Sequence, residues 1–147
     1  MNLFIFGNPM SGSQSGQQQI NQIVEACTKH SIHFKLFQTQ RAGELPDLLE
    51  KHLPERNEQT KVVIIGGDGT LNEALQYLKQ NEIEVPLSYL PAGTGNDFAR
   101  EMNLTHDADV FVQNIENAPS IELEFLTYHE QNSGTSGIAL NSLGFGI

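Results

Sequence analysis

The sequence predicts an α/β fold, with a parallel sheet held between two layers of helices. Three observations carry this. Four short apolar runs have strand length and end in turn residues: LFIFG at 3–7, FKLFQ at 34–38, VVIIG at 62–66 and LSYL at 87–90. Between the runs, apolar residues recur at helical spacing. Two glycine-rich turns, GGDG and GTG, follow the third and fourth runs and lead straight into helix starts. Strands alternating with helices build βαβ units, and hence a three-layer, Rossmann-like sheet with helices on both faces.

Taken in order, LFIFG stops at Asn8 because Pro9 forces the preceding residue toward extended geometry. The polar stretch SGSQSGQQQ is short and reads as a loop running into a helix. In that helix Ile20, Ile23, Val24 and Cys27 follow i, i+3, i+4, i+7 spacing. FKLFQ is the second strand. Residues 44–52 form a short helix with Pro46 in its first turn, a position where its missing N–H is harmless. After VVIIG, the residues Leu71, Ala74, Leu75 and Leu78 mark the next helix; Thr70 with Glu73 three residues on is expected to form a capping box at its start. After LSYL, Asn96 and Asp97 open a helix through Phe98 and Arg100, and another follows around 106–116. Then Ile121, Leu123 and Phe125 alternate with Glu122 and Glu124, a half-exposed strand. With QNSGTSG and the run IALNSLGF this predicts an antiparallel hairpin ending the domain. The chain stops at Ile147 directly after a strand-like run, so it is expected to be a fragment of a longer protein.

A chain of 147 residues is the size of one domain and can bury a core without staples. The lone Cys27 excludes an internal disulfide framework and lies on an apolar helix face, as a buried, inert thiol does. The five histidines are scattered, with no zinc-ligand spacing. No run reaches the ~18 apolar residues a membrane span needs. Residues 1–7 lack the basic flank and length of a secretory signal, so a cytoplasmic protein is expected. A net charge of −10 argues against nucleic acid as a partner and against electrostatic docking on anionic lipid. It does not exclude a phosphorylated ligand, because backbone N–H groups bind phosphate without Lys or Arg.

The loops carry the chemistry. In GGDGTLNE, Gly67 and Gly69 are expected to permit positive φ and close approach of a ligand, and the helix start offers unpaired N–H donors. Asp68 sits among those donors. An acid facing phosphate makes sense if Mg²⁺ lies between them, or if it takes a proton from an attacking hydroxyl. GDGT alone is equally accounted for by a plain strand–turn–helix junction. It lacks the third glycine of the dinucleotide fingerprint, and no GKS or GKT marks a Walker A loop. The second loop, Gly93-Thr94-Gly95, repeats the logic, so two donor-rich loops at the carboxyl ends of parallel strands should share the crevice where such sheets bind ligands. Asp97 reads first as an acid complementing a helix start. Thr39, after the second strand, either faces the crevice or makes a local turn.

IIGGDGTLNE, PAGTGNDFAR and NPMSG, in this combination, resemble the catalytic domain of the diacylglycerol kinase family, which includes bacterial lipid kinases, sphingosine kinases and ceramide kinase. The resemblance runs from Asn8 to NSLGFG near the end. It makes residues 1–147 an N-terminal nucleotide-binding domain. It implies transfer of the ATP γ-phosphate to a lipid hydroxyl such as that of diacylglycerol, with Mg²⁺, at a membrane surface; the full-length protein would be cytoplasmic and peripheral at the inner membrane face. It makes Asn8, Pro9, Met10, Ser11 and Gly12 the first nucleotide-binding loop and Thr39 a nucleotide contact. Gly66, Gly67, Asp68, Gly69, Thr70, Leu71, Asn72 and Glu73 become the phosphate loop. Gly93, Thr94, Asn96 and Asp97 become a second wall, with Asp97 near the rim. In sphingosine kinases the aspartate matching Asp68 is treated as the catalytic base. In bacterial diacylglycerol kinases it is linked to Mg²⁺ through water, the role preferred for Asp68.

The family continues into a β-rich second domain that supplies lipid contacts, further acids and, in bacterial enzymes, the base. This chain also has Gly146 where an aspartate usually follows Gly-Phe, and Gly43-Glu44 where Gly-Asp or Gly-His is common. The chain by itself is therefore expected to be inactive, and a homodimer through surfaces the second domain would cover is expected. Two alternatives are an NAD kinase-like enzyme, which GTGNDFAR speaks against, and a non-catalytic nucleotide-binding pseudoenzyme.

Overall fold

In a computed structural model, residues 1–12, 14–93 and 96–117 are described. Strands β1 (Asn2–Gly7), β2 (His33–Gln38), β3 (Thr60–Gly66) and β4 (Leu87–Pro91) form one sheet in the order β2-β1-β3-β4, parallel throughout. Asn2 aligns with both His33 and Thr60, and Val62 with Leu87. The helices are α1 (Ser15–Lys29), α2 (Leu45–His52), α3 (Asp68–Gln80), α4 (Asp97–Glu101) and α5 (Ala108–Gln113), with 3₁₀ turns at Leu53–Glu55 and Ile115–Asn117.

The period-2 alternation of a strand divides β1 and β3 between two cores. Leu3, Ile5, Val63 and Ile65 pack with Ile20, Ile23 and Cys27 of α1 and with Ala108 and Phe111 of α5. Phe4, Phe6, Val62 and Ile64 pack with Leu45 and Leu49 of α2, Leu71 and Leu75 of α3, and Phe98 of α4. The sheet is thus the middle of three layers. Burying each of these large apolar side chains contributes about 1.5–3 kcal/mol, which is why the central strands read as unbroken apolar runs. β2, an edge strand, is half exposed and carries His33, Lys35 and Gln38 outward. Such charges discourage edge-to-edge pairing.

The chain leaves β1 toward β2, then returns past it to β3 and β4 on the other side. The reversal opens a crevice between the carboxyl ends of β1 and β3, the switch point where open parallel sheets take ligands.

Three expectations change. The sheet gives no support to an antiparallel ending; the expected hairpin at 121–145 lies outside the described residues. The Thr70–Glu73 capping box does not form: α3 begins at Asp68, its N-cap is Gly67 in extended geometry, and no side chain caps it. Gly67 has φ −87°, and the glycines with positive φ among the described residues are Gly12, Gly43 and Gly93. Gly67 and Gly69 therefore do not supply unusual backbone angles. No helix among the described residues is long and apolar enough to cross a membrane.

Candidate functional site

Asn8, the first residue past β1, joins three strand ends. Its N–H donates to Ile65 O at 3.0 Å, continuing the β1–β3 ladder. Its Oδ1 accepts from Met10 N at 3.0 Å, an Asx turn that bends the loop, and from Thr39 Oγ1 at 3.4 Å. Its Nδ2 reaches Thr70 Oγ1 at 3.4 Å, and Ser11 Oγ lies 3.4 Å from the same hydroxyl. Thr70 and Thr39 are buried. The hydroxyl that the sequence assigned to a helix cap is instead captured by the loop after β1.

Two positive-φ glycines bring the outer loops together. Gly12 has φ +53° and Gly93 φ +90°, and a Cβ added to Gly12 would lie 2.9 Å from Gly93 Cα. Backbone meets backbone there, so a side chain at either position would drive the loops apart. The buried amide of Asn96 locks the third loop by donating to Ala92 O at 3.1 Å and Gly93 O at 3.2 Å. Gln19 of α1, also buried, donates from Nε2 to Pro91 O at 2.9 Å and to His106 O at 2.8 Å, tying the same loop to the segment before α5.

The two helix starts beside the crevice differ. In α1 the first-turn donors are used: Ser15 N, Gly16 N and Gln17 N bond Gly12 O, Ser11 O and Pro9 O at 3.0–3.1 Å. In α3 the first intrahelical bond is Leu71 N to Gly67 O at 3.1 Å, so Asp68, Gly69 and Thr70 keep N–H groups with no intrahelical acceptor. A Cβ at Gly69 would meet no atom within 4 Å, so this start opens on free space. A donor set of this kind suits an anion.

Asp68 is the first residue of α3 and is half buried. Its Oδ1 accepts from Tyr89 Oη at 3.3 Å and its Oδ2 from Phe98 N at 3.3 Å. Burial first, then the charge of Asp68 and the hydrogen bond to it, push the Tyr89 phenol far above its ordinary value. Among the described residues no three His, Cys, Asp or Glu side chains gather as a metal cluster.

The other expected residues scatter by role. Met10 is 70% exposed, and Pro9 precedes it on the loop. Gly66 is buried, and its carbonyl accepts from Ala92 N at 2.9 Å. Leu71 is fully buried in the core under α3. Asn72 is half buried with Oδ1 enclosed and unbonded, and burial raises the carboxyl of Glu73. Asp97 is exposed and pairs with Arg100 of its own helix. Thr94 lies outside the described residues. Tyr89, Gln19 and the N–H of Phe98 were missed. A tyrosine in the middle of a fully buried strand was the available signal, since a buried phenol needs a partner. Gln19 stood in a glutamine run with nothing to single it out.

The diacylglycerol kinase catalytic domain matches residues 2–127. The chain belongs to this family. It is 29% identical over 103 residues to a protein named diacylglycerol kinase from Staphylococcus carnosus (strain TM300), covering 70% of this chain and 33% of that one. The crystal structure of a diacylglycerol kinase from Bacillus anthracis str. Sterne is similar in fold, with a TM-score of 0.60 and 23% identity, over 78% of this chain and 38% of that one. The chain spans about a third of the length of the curated relatives it matches. GDGT, after β3, and the loop from Asn8 to Gly12, after β1, are the turns that flank the switch point.

Proposed function

We propose that this chain is the nucleotide-binding half of an ATP-dependent lipid kinase, which transfers the γ-phosphate to a lipid hydroxyl such as that of diacylglycerol. The observation that carries it is the start of α3: three N–H groups without intrahelical acceptors, open space over Gly69, and Asp68 held on both oxygens beside them. In this reading the N–H groups of Asp68, Gly69 and Thr70 bind phosphate oxygens. Asn8, Ser11 and Thr39 shape one wall of the crevice, and Gly93, Asn96 and Asp97 the other.

The donor set fits Mg²⁺ in its usual protein mode, one carboxylate with water and substrate phosphates completing the shell. When bound, Mg²⁺ supplies neutralisation of the phosphate charge during transfer. Asp68 would hold it through water. Tyr89 Oη and Phe98 N, each 3.3 Å away, hold the two carboxylate oxygens. The lipid alcohol would be presented at a membrane surface, with the protein cytoplasmic and peripheral. With a net charge of −10, electrostatic attraction of this chain would not hold it on anionic lipid.

Calorimetric titration with Mg-ATP, Mg-ADP and NAD tests the proposal. Binding of ATP and ADP without NAD supports it. Preferential binding of NAD would move the chain to NAD kinase-like chemistry, and no binding of any of the three would overturn a preformed nucleotide site.

A further inference from the structure

Tyr89 is the middle residue of β4 and is 2% exposed. Its ring centroid lies 6.2 Å from that of Phe98, which fixes the phenol in a packed place. The phenol oxygen is 3.0 Å from Gly66 O and 3.3 Å from Asp68 Oδ1. A phenol has one proton and can donate to only one of these oxygens at a time. If it turned to Gly66 while Asp68 is charged, two oxygens with lone pairs would face each other in a poorly hydrated site, which is unfavourable. The phenol proton is therefore directed to the Asp68 carboxylate. Gly66 O is not orphaned, because it still accepts from Ala92 N at 2.9 Å. Burial and the neighbouring charge keep the phenol itself protonated.

We propose that Tyr89 is the positioning residue of Asp68, holding its carboxylate in place beside the α3 N-terminus. Phe98 N–H holds the other oxygen, at 3.3 Å, so the plane of the carboxylate is set from β4 and α4 together. The consequence for nucleotide binding rests on the function proposed above; the coupling between the two side chains does not.

The test is a double-mutant cycle on the full chain: wild type, Tyr89→Phe, Asp68→Ala and the double variant. Phe keeps the ring and its packing, so Tyr89→Phe is expected to fold. Two readouts are taken, the urea midpoint of the free chain and the affinity for ADP with and without Mg²⁺. If Tyr89 acts through Asp68, Tyr89→Phe weakens Mg-ADP binding by about three- to tenfold, the range of one hydrogen bond. ADP binding without Mg²⁺ hardly moves, and in the Asp68→Ala background Tyr89→Phe has no further effect on Mg-ADP. A structural role alone would lower both affinities alike, and the two changes would add. That result, or a Tyr89→Phe chain that binds Mg-ADP like wild type, would overturn the assignment. If wild type binds no nucleotide, the proposed function falls. The urea cycle then decides the coupling: non-additive midpoints sustain it and additive ones end it.

Discussion

Gly16→Ala measures how tightly the first loop is packed against α1. A methyl at this position would lie 2.0 Å from Asn8 O and 3.1 Å from the carbonyl carbons of Asn8 and Pro9. All three are backbone atoms, and the 2.0 Å contact must open by about 1.4 Å or more to reach ordinary packing. Neither side is free to move. Asn8 N is bonded to Ile65 O at 3.0 Å, and the helix start is sewn to the loop by Gly16 N–Ser11 O and Gln17 N–Pro9 O, both 3.0 Å. Overpacking costs about 1–3 kcal/mol. Stretching one or two backbone bonds adds about 1 kcal/mol each. Alanine's better helix propensity offsets only about 0.5–1 kcal/mol. The net destabilisation is about 2–3 kcal/mol. At about 2–4 °C per kcal/mol for a domain of this size, the melting temperature should fall by about 5–10 °C. Thermal and urea unfolding followed by circular dichroism would read it. Mg-ATP affinity should fall too, because Asn8 and Ser11 move with the loop. A Gly16→Ala chain as stable as wild type would refute the close seating of α1 on the Asn8 carbonyl, and with it the rigidity claimed for this wall.

Gly69→Ala should act in the opposite sense on stability: its methyl meets no atom within 4 Å, so the free chain should gain up to about 0.5–1 kcal/mol while Mg-ATP affinity drops at least tenfold, as calorimetry would show. Unchanged affinity would remove phosphate from the space over α3. Burial raises the carboxyl of Glu73, so forming its charge weakens the fold as pH rises above the ordinary glutamate value of 4.5. Glu73→Gln should therefore raise the melting temperature at neutral pH and leave it unchanged in acid, where both side chains are neutral. Asp109 is held below its ordinary 3.8, chiefly by the hydrogen bond from His30 at 2.8 Å. Its contribution to the α1–α5 contact is present above that ordinary value and lost as pH falls through the lowered one. Asp109→Asn should accordingly destabilise at neutral pH and have no effect in strong acid. Cys27 is fully buried and its thiol is pushed up to about 11 by burial, so thiol reagents should leave it unmodified at neutral pH until urea unfolds the chain.

The strands and helices of the described residues were legible because their signals are local. VVII and LFIF are apolar throughout since both faces of a central parallel strand are covered. Ile20, Ile23 and Cys27 recur at helical spacing since only one stripe of α1 faces the sheet. The turns after β3 and β4 were legible from glycine and asparagine. Thr70 shows where local reasoning failed. Thr70-x-x-Glu73 has the spacing of a capping box, but Gly67 already serves as N-cap and the hydroxyl belongs to a contact with Asn8, 62 residues away. A pattern four residues long cannot register that competitor.

By itself, then, the sequence determined the α/β class, the order of the elements and the loops that carry chemistry, because periodicity, turn residues and glycine placement are properties of neighbouring positions. Only the tertiary structure decided that the switch point falls between β1 and β3, that α3 rather than α1 keeps open donors, and that Asp68 is gripped by Tyr89 and Phe98, 21 and 30 residues further along. Those outcomes depend on strand order and on which distant oxygen reaches a given N–H or O–H first, and distance in space is not written in the spacing of the chain.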